Sequence, residues 1–284
     1  MDHTTKKIGR NVLVVNFSEP KAGDECWVML SADRHHDNPH CRRDIEKRHL
    51  DKAVERQAFI IDCGDLFCAM QGKFDPRSAM DDIRKEDVRT DYLDRIVTHA
   101  AQDYAPYAKN ILLLGHGNHE TNILKRHGVD LTSNLVHRLN AEHGGQVHTG
   151  FYGGWVQFVF NKRGLINLKY HHGAGGGGPV TKGTIQTNRQ AVYLPDADIV
   201  VNGHTHDGWV LPLARERLSI RGVVQRDLLW FARTPGYKDE YADGSSGFHN
   251  EQWRPPKPLG CVWVHLWYNG GSHAMNIELI PEME

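Results

Sequence analysis

Short apolar runs separated by turn-forming residues set the pattern of this chain. They cover residues 11–17, 26–30, 59–62, 111–114, 155–160, 165–170 and 198–201, and are rich in Val, Ile and aromatic side chains. Such runs predict strands. Near the C-terminus, 261–267 and 274–280 flank Asn269-Gly270-Gly271, a sequence suited to a hairpin turn. A helical period appears between the early strands. Val88, Tyr92, Ile96, Ala100 and Tyr104 recur every four residues, with Leu93, Val97 and Ala101 beside them. Together they make one broad apolar stripe. Weaker helices are expected over about 42–57 and about 131–140, the second ending near Gly144-Gly145.

The first half thus alternates strand and helix, and the second half is mostly strand. Mixed sheets packed face to face with helices outside would satisfy both halves. No internal repeat or domain boundary interrupts the pattern, so 1–284 reads as a single domain. A segment rich in Gly, Pro and charge at about 234–260 is expected to be a long surface loop or a cover over a site.

Composition narrows the function classes. The chain has 284 residues, 39% hydrophobic and 24% charged, the makeup of a water-soluble globular protein with a substantial core. A formal net charge of −1 gives no bulk attraction to nucleic acid or an anionic membrane. The five cysteines are scattered without a disulfide spacing, which favours a reducing compartment. The first eleven residues are polar, and no apolar run approaches membrane-spanning length. The expectation is a cytoplasmic protein with no membrane partner. Nineteen histidines are the one excess.

Five short motifs give that excess a chemistry. They are Asp33-Arg34-His35, Gly64-Asp65, Gly117-Asn118-His119-Glu120, His171-His172-Gly173 and Gly203-His204-Thr205-His206, each just after an apolar run. Asp33 and His35 lie two apart at a strand end, where side chains point the same way and can reach one ion. Asp65 ends an apolar run in which an unpartnered carboxylate would be costly, and its two oxygens could bridge two ions. Asn118 and His119 are neighbours whose side chains diverge, so one can bind metal while the other faces a substrate. Glu120 is expected to play a supporting role. His204 and His206 can converge on neighbouring ions. In the HHG motif one histidine suffices; His172, beside the glycine turn, is favoured, with His171 the alternative. The glycines at 175–178 could bring backbone N–H groups to an anion or form a flexible loop.

In order and content these motifs resemble the calcineurin-like metallophosphoesterase superfamily, whose pattern reads D-x-H, GD, GNH with an acid, H, and GHxH. The match spans Asp33 to His206, about 60% of the chain. The resemblance implies a four-layer α/β/β/α sandwich of two mixed β-sheets flanked by helices. It also implies that Asp33, His35, Asp65 and His206 hold one ion, and Asp65, Asn118, His172 and His204 a second. The stretch 33–41 and the HHG-glycine run also resemble phage-type members. One departure stands out. The protein phosphatases of the superfamily extend GD as GDxxDRG, whereas this chain continues Leu66-Phe67-Cys68-Ala69-Met70. The aspartate that would support the catalytic histidine is missing, with Asp75 or Arg77 as substitutes.

The reaction follows from charge. Two divalent ions, two aspartates and a bridging hydroxide leave the site near +1, which attracts a phosphoryl anion. The expected activity is dinuclear metal-dependent phosphoester hydrolysis, by hydroxide attack with His119 as general acid. The two transition-metal ions could be Mn, Fe, Zn or Co. The substrate is expected to be a phosphodiester or nucleotide-type small molecule. A DNA or RNA nuclease and a non-catalytic scaffold are the alternatives. Arg34, His36, His40, Lys182 and Arg189 could meet phosphate, Trp253 or Tyr237 could stack on a base, and Cys63 could touch the site.

Overall fold

A computed structural model describes residues 1–70, 79, 82–176, 180–241, 244–245, 248–270 and 275–284. The strands are β1 (His3–Ile8), β2 (Val12–Phe17), β3 (Glu25–Ser31), β4 (Phe59–Asp62), β5 (Ile111–Leu114), β6 (His148–Thr149), β7 (Gly153–Phe160), β8 (Gly164–His171), β9 (Ile199–Asn202), β10 (Trp209–Leu218), β11 (Val224–Arg233), β12 (Gly260–Trp267) and β13 (Asn276–Met283). They form a seven-stranded sheet, β1-β2-β7-β8-β9-β11-β10, and a six-stranded sheet, β13-β12-β3-β4-β5-β6. Both are mixed. In the smaller sheet β3, β4, β5 and β6 run parallel while β12 is antiparallel to β3 and β13. In the larger one β9 pairs in parallel with β8 and β11.

The period of two along each strand decides the layers. In β3, Val28 and Leu30 enter the core between the sheets and Met29 faces outward; in β4 the same division separates Ile61 from Ile60. Opposite them Val15, Phe158, Leu168, Ile199 and Val201 supply the other half of the inner core. The outer face of the smaller sheet is covered by three helices: α1 (Arg43–Glu55), α2 (Tyr92–Tyr104) and α4 (Leu131–His143). Tyr92, Ile96, Ala100 and Tyr104 of α2 are all buried there, as the stripe requires. Val200, Leu229 and Phe231 on the outer face of the larger sheet pack against Ala191 of α5 (Thr184–Tyr193). The architecture is the four-layer α/β/β/α sandwich.

Three differences from the sequence reading have local causes. The helix containing the apolar stripe starts at Tyr92, leaving Val88 exposed after a short turn at Lys85–Asp87. β1 is an edge strand with almost every side chain exposed, so alternation gave no signal. β10 and β11 form a ten-residue antiparallel ribbon. Its charges and Pro212 hid it, and Pro212 is tolerated because β10 lies at the edge of its sheet. The β12–β13 hairpin is present, while Gly271 of its turn lies outside the described residues. Among the described residues, no helix is long and apolar enough to cross a membrane.

Asp130 starts α4, its carboxylate accepting from the backbone N–H of Ser133 at 2.9 Å, with His116 Nε2 3.1 Å away. Burial opposes its charge, but His116 and the Ser133 donors outweigh burial and lower its pKa to about 2. A carboxyl depressed in this way stabilises the fold fully above its ordinary value and loses that contribution as pH falls through about 2. Because the group is half exposed, Asp130→Ala should cost only about 1 kcal/mol at pH 7. Urea midpoints should show the gap between wild type and variant narrowing at pH 3; a gap that widens in acid would contradict the assignment.

Candidate metal centre

All five motifs sit at C-terminal strand ends along one edge of the sandwich. Asp33 and His35 follow β3, Asp65 follows β4, and Asn118 and His119 begin the helix α3 (Asn118–His127) after β5. These three strands are parallel neighbours in one sheet, whereas His172 follows β8 and His204 and His206 follow β9 in the other. The site is therefore assembled across both sheets.

The loops are drawn together by backbone bonds. Asp33 N–H donates to the Gly64 carbonyl at 2.9 Å, His35 N–H to Asp65 at 3.0 Å and His36 N–H to Leu66 at 2.8 Å. Gly64 and Gly117 then touch: a Cβ on Gly64, at φ +110°, would lie 2.4 Å from the Gly117 nitrogen. A Cβ on Gly117 would lie 2.0 Å from Asp65 Oδ1. Only glycine fits either place. Glu120 ties the same two loops, accepting from the N–H groups of Asp65 (3.1 Å), Phe67 (2.9 Å) and Gly117 (2.8 Å).

Strand alternation predicts that Asp33 and His35 converge, as do His204 and His206. They do converge, but by another route. All four lie beyond the strands, and with Asp65 they adopt left-handed backbone angles: φ is 54° at Asp33, 47° at His35, 55° at Asp65, 74° at His204 and 54° at His206. Non-glycine residues reach this region at a cost of about 1–3 kcal/mol each, which a surrounding scaffold must hold.

Two groups of donors result. His206 Nε2 is 3.4 Å from Asp33 Oδ1 and 3.4 Å from His35 Nε2. His172 Nε2 is 3.2 Å from Asp65 Oδ2, 3.2 Å from Asn118 Oδ1 and 3.3 Å from His204 Nδ1. Donor atoms about 2.1 Å from one ion lie roughly 3.0–3.4 Å from each other, so each group has the spacing of a ligand set. Asp33 Oδ1 is buried without a hydrogen bond, an arrangement a cation would relieve. Burial, helped by His119 and His206, lowers the pKa of His35 well below its usual value, and burial with His172 lowers that of His204. Neutral rings keep a lone pair for metal. Burial opposes the charge on His172, but Asp65 outweighs it and raises its pKa to about 10. A cation there would have to displace that proton.

The supporting contacts decide several open points. His172 Nδ1 lies 3.2 Å from the Cys63 carbonyl, which fixes the ring. His171 points elsewhere, accepting from the Gly173 N–H at 2.9 Å. Cys63 touches the site only through that carbonyl, since its thiol belongs to the core between the sheets. His119 Nδ1 donates to the Cys68 carbonyl at 2.6 Å, and its Nε2 lies 3.9 Å from Asp65 Oδ2. The partner of this ring nitrogen is thus a backbone carbonyl and not a carboxylate. Asp75 and Arg77 lie outside the described residues. The carbonyl is a partner that no side-chain motif can reveal.

Arg34, His36 and Tyr237 are corrected. Arg34 is fully buried and turned away from the pocket, bonded to Asp62 (2.6 Å) and Glu46 (2.9 Å). His36 is buried between Glu46 and Asp103. Tyr237 is wholly buried, 3.0 Å from His49 Nδ1, so it cannot stack on a base. His40 lies on the surface beside Asp82 and Arg189 is exposed on α5. The donor groups open into a cavity of about 990 Å³, also lined by Lys182, Lys238 and Trp253.

No known family model matches the chain, and no curated protein does. Similar solved structures include Vps29 from Entamoeba histolytica complexed with zinc, at 11% identity and a TM-score of 0.39, covering 89% of this chain and 98% of that one. Another is a protein from Streptococcus pneumoniae described as a predicted phosphoesterase, at 11% identity and a TM-score of 0.32, covering 91% and 100%. A third, from Thermotoga maritima, has 14% identity and a TM-score of 0.32, covering 90% and 98%. The chain resembles the calcineurin-like metallophosphoesterases. That statement rests on five motifs in order at five strand ends, because likenesses this distant assign no chemistry.

Glu120 holds both loops yet carries none of the proposed donor atoms. Glu120→Ala should weaken Mn²⁺ binding about 10–100-fold in calorimetric titration. An unchanged affinity would mean the loops keep their places without it.

Proposed function

We propose that the chain is a metal-dependent phosphoesterase holding two divalent ions. Asp33, His35 and His206 with Asp65 would bind one, and Asp65, Asn118, His172 and His204 the other. The observation carrying this reading is the pair of donor groups, each spaced for one ion, on the floor of a single cavity. Asp65 Oδ2 faces His172, and Oδ1 accepts from the His119 N–H at 2.8 Å; sharing this carboxylate between the two ions is part of the proposal. When bound, two such ions supply a nucleophile from water and neutralise phosphoryl charge.

The chain's own residues would do the rest. The N-terminus of α3 lies at the site, where its backbone dipole favours an anion. His119 is proposed as the general acid. The Cys68 carbonyl can only accept, so Nδ1 keeps its proton and the catalytic proton must sit on Nε2. That atom lies on the Asp65 side, from which it can protonate a departing oxygen. The cavity is large for a bare phosphate, which supports a substrate with a sizeable organic group, a phosphodiester or nucleotide.

His204→Ala and Asn118→Ala should lower bound Mn²⁺ and abolish hydrolysis of bis-p-nitrophenyl phosphate. Elemental analysis finding full metal in both variants would remove the ligand assignment. His119→Ala should keep its metal and lose about 10²–10⁴-fold in turnover, with the larger loss on poor leaving groups. A loss independent of the leaving group would exclude the general-acid role.

A further inference from the structure

Trp253 is costly where it stands. Its side chain is 94% exposed, and its backbone takes φ 53° although it is not glycine. A bulky aromatic in that region is an outlier, with strain of about 1–3 kcal/mol and no core contact in return. Its position supplies a reason: it lines the same cavity as the proposed metal-binding groups.

The rim that follows the indole has a stiff backbone. The sequence runs Trp253-Arg254-Pro255-Pro256-Lys257-Pro258, and every one of these residues lines the cavity. Three prolines fix φ, and the residue before each is restricted as well, so the segment has little conformational freedom to lose on binding. Lys257 pairs with Asp207, which pins the rim to the loop carrying His204 and His206. Lys182, on the same cavity wall, adds positive charge. At about 990 Å³ the cavity is at the upper end of small-molecule sites, so it has room for a ring system beyond the phosphoryl group.

Resting on the phosphoesterase reading, we infer that Trp253 is a stacking platform for the nucleobase of a nucleotidyl phosphoester whose phosphate lies at the metal centre. Stacking is indifferent to base identity, because every base offers a π-face. The platform therefore selects for an aromatic base without choosing among bases.

The test compares AMP with ribose 5-phosphate, which differ only in the base. Both are titrated calorimetrically into Mn²⁺-supplemented full-length protein carrying His119→Asn to keep the probes intact. AMP should bind about 5- to 150-fold more tightly. Trp253→Ala should erase that difference, and Trp253→Phe should keep most of it. Equal affinities for the two probes, no binding of AMP, or a difference that survives Trp253→Ala would overturn the platform. Metal content, measured on the same samples, separates the two proposals. A base-dependent difference in protein that binds no metal would sink the dinuclear reading and leave the platform standing.

Discussion

The site depends on a charge cluster that never meets the cavity. Arg34 lies between two proposed ligands, and its guanidinium is buried against Asp62 (2.6 Å), Glu46 (2.9 Å) and the Ser31 hydroxyl (2.8 Å). Burying such charges is expensive unless every donor and acceptor is satisfied. Here the satisfaction is shared among β3, β4 and α1. Asp62 also accepts from the Gly64 N–H at 2.9 Å, and Glu46 also binds His36 at 2.9 Å. Burial opposes the charge on Glu46, but His36 and Arg34 outweigh it and keep the carboxyl ionised. By drawing Arg34 inward, the cluster leaves Asp33 and His35 to face the cavity. Such a network contributes less to net stability than to specifying one arrangement of the D-x-H turn.

That specificity is needed because the turn is strained. Five of the proposed ligands hold left-handed backbone angles, and a relaxed chain would leave them. The restraint is distributed. Backbone bonds zip residues 33–36 to residues 64–66, Glu120 collects three N–H groups, and Asp33 Oδ2 accepts from the His204 N–H at 2.7 Å. The last of these joins the two sheets at the site itself. Strain is held by contacts that are also the scaffold, so ligand placement does not depend on a bound ion alone.

What the sequence disclosed and what it hid divide along physical lines. Strands β3, β4, β5, β8 and β9 are buried or alternate cleanly, so their apolar runs were legible, and so were the polar motifs that end them. The ribbon β10–β11 was not, because its far end is exposed and carries charge on both strands. The 234–260 segment carries no period that would separate a long surface loop from a cover over a site. Its first residues run beneath the site, with Thr234 and Tyr237 fully buried, and residues 253–258 line the cavity. Arg34 and Tyr237 looked available because residue type says nothing of direction. Direction here is set by partners distant in sequence, Glu46 and His49.

The same logic explains how His119 is oriented without a carboxylate on its Nδ1. The Cys68 carbonyl that takes the His119 Nδ1 proton is itself positioned: Cys68 and Ala69 donate their N–H groups to Asp37 at 2.5 and 2.8 Å, and Tyr92 of α2 donates its hydroxyl to the same carboxylate at 3.0 Å. Asn38 donates to the Cys68 sulfur at 3.2 Å. Asp37-Asn38, two residues beyond the D-x-H motif, thus hold the loop that holds His119. A carbonyl fixes the tautomer as firmly as a carboxylate would, but adds no full negative charge beside the ring. His119 is therefore oriented by a dipole, and the carboxylate of Asp65, one of the proposed ligands, lies 3.9 Å from its Nε2. Proton transfer and metal binding would then be coupled through a single side chain.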